Sequence, residues 1–358
     1  MPKSKLFLSA VLLLIIAATA SGCVTIKTEG DAAGSGTDGG VFKTANRGDS
    51  WQQKALIPTT SGKPSSIAGL SAVCLSMDPS DNKAIYYGSQ LNGLFYSYDG
   101  ADSWQVAKTL GQVTVNDAVV DPSSKCVIYA SAANRIYKST DCSRAWSQIY
   151  YDNDLTVTVN SIAIDYYDSK NIYAGTSRGE VIKSSDRGES WQTVNRLKNN
   201  VEKIMISPFD SRIIFAATAK KGIHRSLDSG YNWTDLSANL KEFKDGMTYR
   251  DLVISKSEEG LIFLANSYGL LKSADYGDTW ANITLITPEK EATINAIAVS
   301  PKNAKEIYYV TNTTFYRSDD GGETWTTKKL PTSWAGRKLL IDPEEPNIIY
   351  MGVKLIKK

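Results

Sequence analysis

The chain has 358 residues, near the upper end for one domain and long enough to bury a sizeable core. Lys and Arg number 40 against 38 Asp and Glu, and Lys3 and Lys5 stand in the first 22 residues with no acid, so the rest is neutral and phosphate-led nucleic-acid binding is disfavoured. Hydrophobic residues at 42% and charged residues at 22% fit a globular protein, and a single histidine, His224, argues against polyhistidine metal sites and histidine-based triads.

Residues 1–22 read as a secretory signal: Lys3 and Lys5 form a positive n-region, residues 6–18 are apolar, and small residues lead to Ala20-Ser21-Gly22-Cys23. The apolar stretch is shorter than a membrane span of about 20 residues. Small residues before a cysteine resemble the lipobox of bacterial lipoproteins, in which Cys23 would be lipidated; Ala20, where leucine is commoner, departs from it. The alternative is an ordinary cleaved signal with an incidental cysteine. Two or three acyl chains would anchor stably where one is marginal. Residues 23–40, with Gly30, Gly34, Gly36, Gly39 and Gly40 among small polar residues, read as a flexible tether, and 41–358 as the folded unit.

That unit repeats. Trp51, Trp104, Trp146, Trp191, Trp233, Trp280 and Trp325 close seven related turns separated by 53, 42, 45, 42, 47 and 45 residues, a blade-sized period. The fullest copies, Ser184-Ser185-Asp186-Arg187-Gly188-Glu189-Ser190-Trp191 and its equivalents ending at Trp280 and Trp325, read Ser-x-Asp-x-Gly-x-Ser/Thr-Trp. Asn46 replaces the aspartate of the first copy, and Ala101 and Ser143 the glycines of the second and third. The short Ser and Asp side chains accept hydrogen bonds from nearby amides, glycine tolerates positive φ, and the indole lids the hairpin. Asp99, Asp141, Asp186, Asp228, Asp275 and Asp320 are therefore structural by default, with catalysis or calcium binding as the alternatives.

Between the turns come β-branched apolar runs ending in a polar or proline turn, such as Val119-Val120-Asp121-Pro122 and Leu339-Leu340-Ile341-Asp342-Pro343, each followed by a second run such as Ile213-Ile214-Phe215-Ala216. With the strands flanking each tryptophan turn, this makes four strands per repeat. The first turn lacks a preceding pair of runs and the last pair lacks a turn, so residues 41–57 should supply the outer two strands of a blade whose inner two lie in 338–352. The fold expected is all-β: a seven-bladed β-propeller of four-stranded antiparallel blades, closed by N- and C-terminal strands that share one blade.

The turn resembles the Asp-box, or bacterial neuraminidase repeat. A single lipid-anchored propeller of seven such repeats resembles the photosystem II stability and assembly factor-like propellers over residues 41–358. Sialidases, xyloglucan-type glucanases and sortilin-type receptors share the motif. No Arg-Ile-Pro of the sialidase kind occurs here; xyloglucanases pair two propellers, and sortilin-type receptors have ten blades and a cysteine-rich tail. The resemblance implies a membrane-tethered, extracytoplasmic, monomeric, non-enzymatic assembly or scaffold module that binds a protein or an extracellular polymer through its loop face, with no cofactor or metal. Its alternative is a carbohydrate-binding or sialidase-like or glucanase-like hydrolase.

In such a propeller the Asp-boxes share one face, and the opposite face carries the loops between second and third strands and between blades. Candidate contacts there are Arg135, Arg178, Lys220, Lys221, Tyr268, Tyr150, Tyr151, Arg250, Trp334 and Arg337, with Arg196, Lys198 and Tyr249 in the same loops. Scattered solvated charge is the bland reading of this set. Trp334, outside any Asp-box, reads as a contact residue or as packing against a neighbouring blade. Asp117, Asp251 and Glu180 could face the central channel, where a hydrolase would need two carboxylates at a set separation. His224 reads as a surface hairpin residue. Cys126 and Cys142 fall eight residues either side of a hairpin bend at Asn134 and so lie within disulfide reach, or remain as two thiols; Cys74 reads as a buried lone thiol.

Overall fold

The computed structural model describes residues 37–288, 291 and 293–356; the expected signal segment and Cys23 lie outside them. Seven four-stranded antiparallel sheets form the blades: 72–106, 115–151, 159–196, 201–235, 249–283, 296–329, and a seventh that combines 335–354 with 41–54. Within the first six blades the strands follow chain order from the innermost outward, and the inner strands of successive blades adjoin around a central channel.

The seventh blade closes the ring. Val41–Thr44 pairs on one side with Gln52–Lys54 and on the other with Ile349–Lys354, placing Phe42 opposite Met351 and Lys43 opposite Tyr350. One sheet thus holds both ends of the chain, and no blade is left with an open inner edge. Two details differ from expectation. Leu56–Ile57 leaves the blade and pairs with Ser65–Ser66 in a separate ribbon. Gly39 and Gly40, assigned to the tether, are buried; their amides donate to the carbonyls of Ala68 and Leu70.

The core consists of seven apolar clusters, one for each boundary between neighbouring blades, including the boundary between blades seven and one. Alternation explains this. In blade two, Ile128 and Ala130 face blade one while Tyr129 faces blade three, because successive side chains leave a strand on opposite sides. Both sides are covered, so second strands such as Ile172–Thr176 and Ile262–Asn266 are buried along their whole length and read as continuous apolar runs.

All seven Asp-boxes adopt one backbone shape. Two consecutive residues have positive φ in each: Arg47 and Gly48, Gly100 and Ala101, Cys142 and Ser143, Arg187 and Gly188, Ser229 and Gly230, Tyr276 and Gly277, Gly321 and Gly322. The first of each pair donates its amide to the hairpin between the two inner strands of the same blade, as Arg187 does to the Lys170 carbonyl at 3.1 Å. In the fourth copy Asp186 accepts from the Ser184 hydroxyl at 2.7 Å and from the Ser190 amide and hydroxyl at 2.9 and 2.5 Å, while the Ser184 oxygen accepts from the Gly188 amide. These bonds hold Asp186 down at a pKa of about 2. The aspartates are therefore consumed by the turn.

Candidate functional site

Each innermost strand opens with an irregularity. The register slips by one residue at Val73, Asn116, Asn160, Glu202, Arg250 and Arg337, and in blade six the amides of Asn295 and, by register, Ala296 both meet Val310. An extra residue bends a strand and re-aims a side chain. Seven such bulges form a ring at the loop-face mouth of the channel. Sequence reading missed it because a bulge is defined only against its partner strand.

The next residue inward forms a second ring with a structural task. Asp117 accepts from the Ser161 hydroxyl and the Ile162 amide of blade three, both at 3.1 Å; the Ser161 oxygen accepts from the Ile204 amide of blade four; Asp251 accepts from the Ile297 amide of blade six at 3.0 Å. Asp117 also faces the Lys203 ammonium at 3.6 Å, and this carboxylate, with Asp251 and Cys74 adding to it, raises the Lys203 pKa against the effect of burial. Both channel aspartates thus latch blades together. Glu180, the third expected channel carboxylate, is instead bound by Arg178 at 2.7 Å and Arg196 at 3.1 Å and does not line the channel.

Lys338 also lines the channel, and burial lowers its pKa although Asp251 works in the opposite direction. Arg337 and Arg250 stand beside it at the mouth. None of these three cations carries an ion pair among the described residues.

The predicted contacts separate into three groups. Arg135, Lys220, Lys221, Arg250 and Tyr151 are exposed on the loop face, with Arg337 half-buried at its centre. Arg178 is neutralised by Asp152 at 2.6 Å and by Glu180, so its charge serves the loop. Tyr150 leans on Trp191 and Tyr268 on Phe243, with ring centroids 5.7 and 5.2 Å apart, and both are half-buried packing residues. Trp334 is 4% exposed, so its expected contact role gives way to packing. Thr332 and Ser333 donate to Asp38, and that segment lays Gly39 across the indole so tightly that a β-carbon there would stand 2.4 Å from it.

Four further residues are placed by the fold. His224 is buried in the third strand of blade four, and burial lowers its pKa, which corrects the surface assignment. Cys126 and Cys142 form a disulfide across blade two. Cys74 is a free buried thiol pushed up to about 12 by burial. No group of three or more metal-ligating side chains occurs among the described residues, and no described helix is long and apolar enough to cross a membrane.

Comparison with known proteins places this geometry. A family model described as sortilin, neurotensin receptor 3, matches residues 268–357. The xyloglucanase Xgh74A of Acetivibrio thermocellus is 25% identical over 187 residues, covering 43% of this chain and 22% of its own length. Among solved structures, the GH74 enzyme of Niastella koreensis aligns with a TM-score of 0.62 at 17% identity over 79% of this chain and 52% of that one. YCF48 bound to D1 peptide aligns at 0.61 and 14% identity over 86% of this chain and 97% of that one. The chain thus spans about a fifth of the curated relative and about half of the GH74 structure, but nearly all of YCF48. The chain is an Asp-box propeller of seven blades that shares its fold with the photosystem II assembly factor-like propellers and with the propellers of GH74 enzymes.

Proposed function

We propose that the protein is a membrane-tethered, extracytoplasmic and monomeric propeller that binds an acidic segment of a partner protein through its loop face, without cofactor or catalysis. One observation carries the reading: the charges of that face are unequally engaged. Asp152 and Glu180 are tied to arginines, and Asp117 and Asp251 to neighbouring backbones, whereas Arg135, Lys220, Lys221, Arg250 and Arg337 carry no ion pair among the described residues. Glu242 and Asp245 in the loop before blade five also carry no ion pair among the described residues, but the free cations outnumber the free carboxylates, and such a surface attracts acidic partners and steers their approach. A peptide bound to YCF48, a propeller of the same fold that aligns over 97% of its own length, supports a protein ligand. The Cys126–Cys142 disulfide supports an oxidising compartment and therefore export, and the cysteine after small residues at 20–22 supports a lipid anchor.

Hydrolysis is the competing reading, favoured by the identity with a xyloglucanase. It needs a carboxylate free to act as acid or nucleophile, and Asp117 and Asp251 are both latches. The test is crosslinked capture from the native membrane by wild-type protein and by the Arg135→Glu, Arg250→Glu, Arg337→Glu triple variant. At least a ten-fold drop in capture at unchanged melting temperature is expected. Equal capture refutes the proposed surface, and xyloglucan cleavage abolished by Asp117→Asn or Asp251→Asn establishes the hydrolase instead.

A further inference from the structure

The channel carries a feature that a loop-face binder does not use. Its loop-face part encloses about 570 Å³ and mixes charged with apolar side chains; its Asp-box part encloses about 270 Å³ and is mainly apolar, with Leu75, Met77, Met205 and Leu340 among its lining and Asp78, Tyr166 and Lys256 toward its far end. Leu75, Lys203, Met205 and Leu340 line both, so the two parts adjoin. Its size is that of small-molecule sites, which run from roughly 300 to 1,000 Å³.

Charge is distributed along this space unevenly. Its carboxylates are Asp117, Asp251 and Glu202 in the loop-face part and, at the Asp-box end, Asp78, which accepts from the Ser80 amide. Asp117 and Asp251 accept backbone amides, Asp117 also meets Lys203, and Glu202 accepts from the Asn200 side chain at 2.8 Å. Lys338 has neither a hydrogen bond nor an ion pair among the described residues, and one strand position below it the wall becomes apolar at Leu339 and Leu340. A partly desolvated ammonium that no acceptor contacts directly, with Asp251 and Asp117 acting on it only from beyond ion-pair distance, is costly. Water at that height would satisfy Lys338 but would find few polar partners further down, where a stable water needs two to four. A purely apolar guest would strand the ammonium, and a bare inorganic anion would leave the lower part unfilled.

We propose that the central channel binds a small amphiphilic anion, a monocarboxylate with a medium-length hydrocarbon tail, its head on Lys338 and its tail against Leu75, Met205 and Leu340. From Lys338 to Ile341 at the far end of the strand is three residues, or about 10 Å of wall at 3.3 Å per residue. Arg250 and Arg337 at the mouth draw the anion in and lie beyond its seat. This site is inside the ring and does not rest on the partner reading of the outer face.

Isothermal calorimetry on the purified protein tests it, with octanoate, octanol and acetate as probes. Octanoate should bind one to one, with octanol and acetate each at least ten-fold weaker. Lys338→Met should cost octanoate at least ten-fold while keeping the wild-type melting temperature or raising it. Met205→Trp, which blocks the tail without touching the head group, should also cost at least ten-fold. Lys256→Met, at the opposite mouth, should change nothing. Absent octanoate binding, equal binding of acetate, undiminished binding by Lys338→Met, or loss confined to Lys256→Met would each overturn the assignment.

Discussion

Gly321 and Gly322 are neighbours in the last Asp-box and both hold positive φ, +85° and +97°. Replacing either by alanine puts a side chain in the left-handed region, at about 1–2 kcal/mol, partly offset by about 0.4–1 kcal/mol from a stiffer unfolded chain. Their surroundings differ. A β-carbon at 321 meets nothing nearer than the Lys305 Cγ at 4.0 Å, whereas one at 322 would stand 2.4 Å from the Ile283 Cγ2 of the preceding blade. Overpacking of that kind adds about 1–3 kcal/mol. Gly321→Ala should therefore cost about 1 kcal/mol and Gly322→Ala about 2–4 kcal/mol. Equilibrium urea unfolding followed by tryptophan fluorescence reads both, provided the slope with denaturant is unchanged. Repeating the pair in an Ile283→Ala background removes the obstructing methyl, and the two costs should then converge. Equal losses in the wild-type background, or a gap that survives Ile283→Ala, would refute the claim that this glycine is needed for contact between blades as well as for the turn.

Stability should also fall with acid in a defined window. Hydrogen bonds from Ser190 and Ser184 hold Asp186 at about 2, and those from Thr279 and Ser273 bring Asp275 to about 2 against the upward push of burial, so both are depressed in the folded state. Their contribution is complete above the unfolded carboxylate value near 4 and is lost as pH falls toward 2; an Asp186→Asn variant melted across pH 2–6 should show a shallower decline than wild type. Breaking the Cys126–Cys142 bridge by paired serine substitution frees a 16-residue separation and should cost about 3 kcal/mol in chemical denaturation. Trp334→Ala should cost about 3–5 kcal/mol as a core deletion and, assayed well below its melting point, leave partner capture unchanged.

The blades were legible in the sequence because everything that defines an Asp-box lies within eight residues: Ser184, Asp186, Gly188 and Trp191 bond to one another or to the same hairpin. Ring closure was legible by subtraction, since a turn without its strands at one end matched strands without their turn at the other. The mouth of the channel was not. Its bulges at Asn116, Glu202 and Arg337 arise from register with a partner strand, and its latches join blades more than forty residues apart, as Asp117 does with Ile162. Trp334 misled for the same reason: the residues that cover it, Asp38 and Gly39, lie almost three hundred positions earlier. His224 was assigned to the surface because a polar turn follows it, whereas it lies in a strand that is buried along its whole length. Arg178 looked available because its two carboxylate partners sit on either side of it in the sequence, and only the fold turns both inward.

The way the ring is sewn shut has a geometric corollary. Residues 37–40 approach Val41 past Ala68 and Trp334, and Lys354 to Ile356 run beside Gln90 and Arg337, so leader and trailer both depart next to the loop-side mouth. A handle joined rigidly at Thr37 would hold the basic surface toward the point of attachment and turn the tryptophan-capped side outward. Partners of the basic surface must then come from the flank or from the anchoring layer itself, and a pull along the leader loads Val41–Thr44, the single strand that bolts the torus closed.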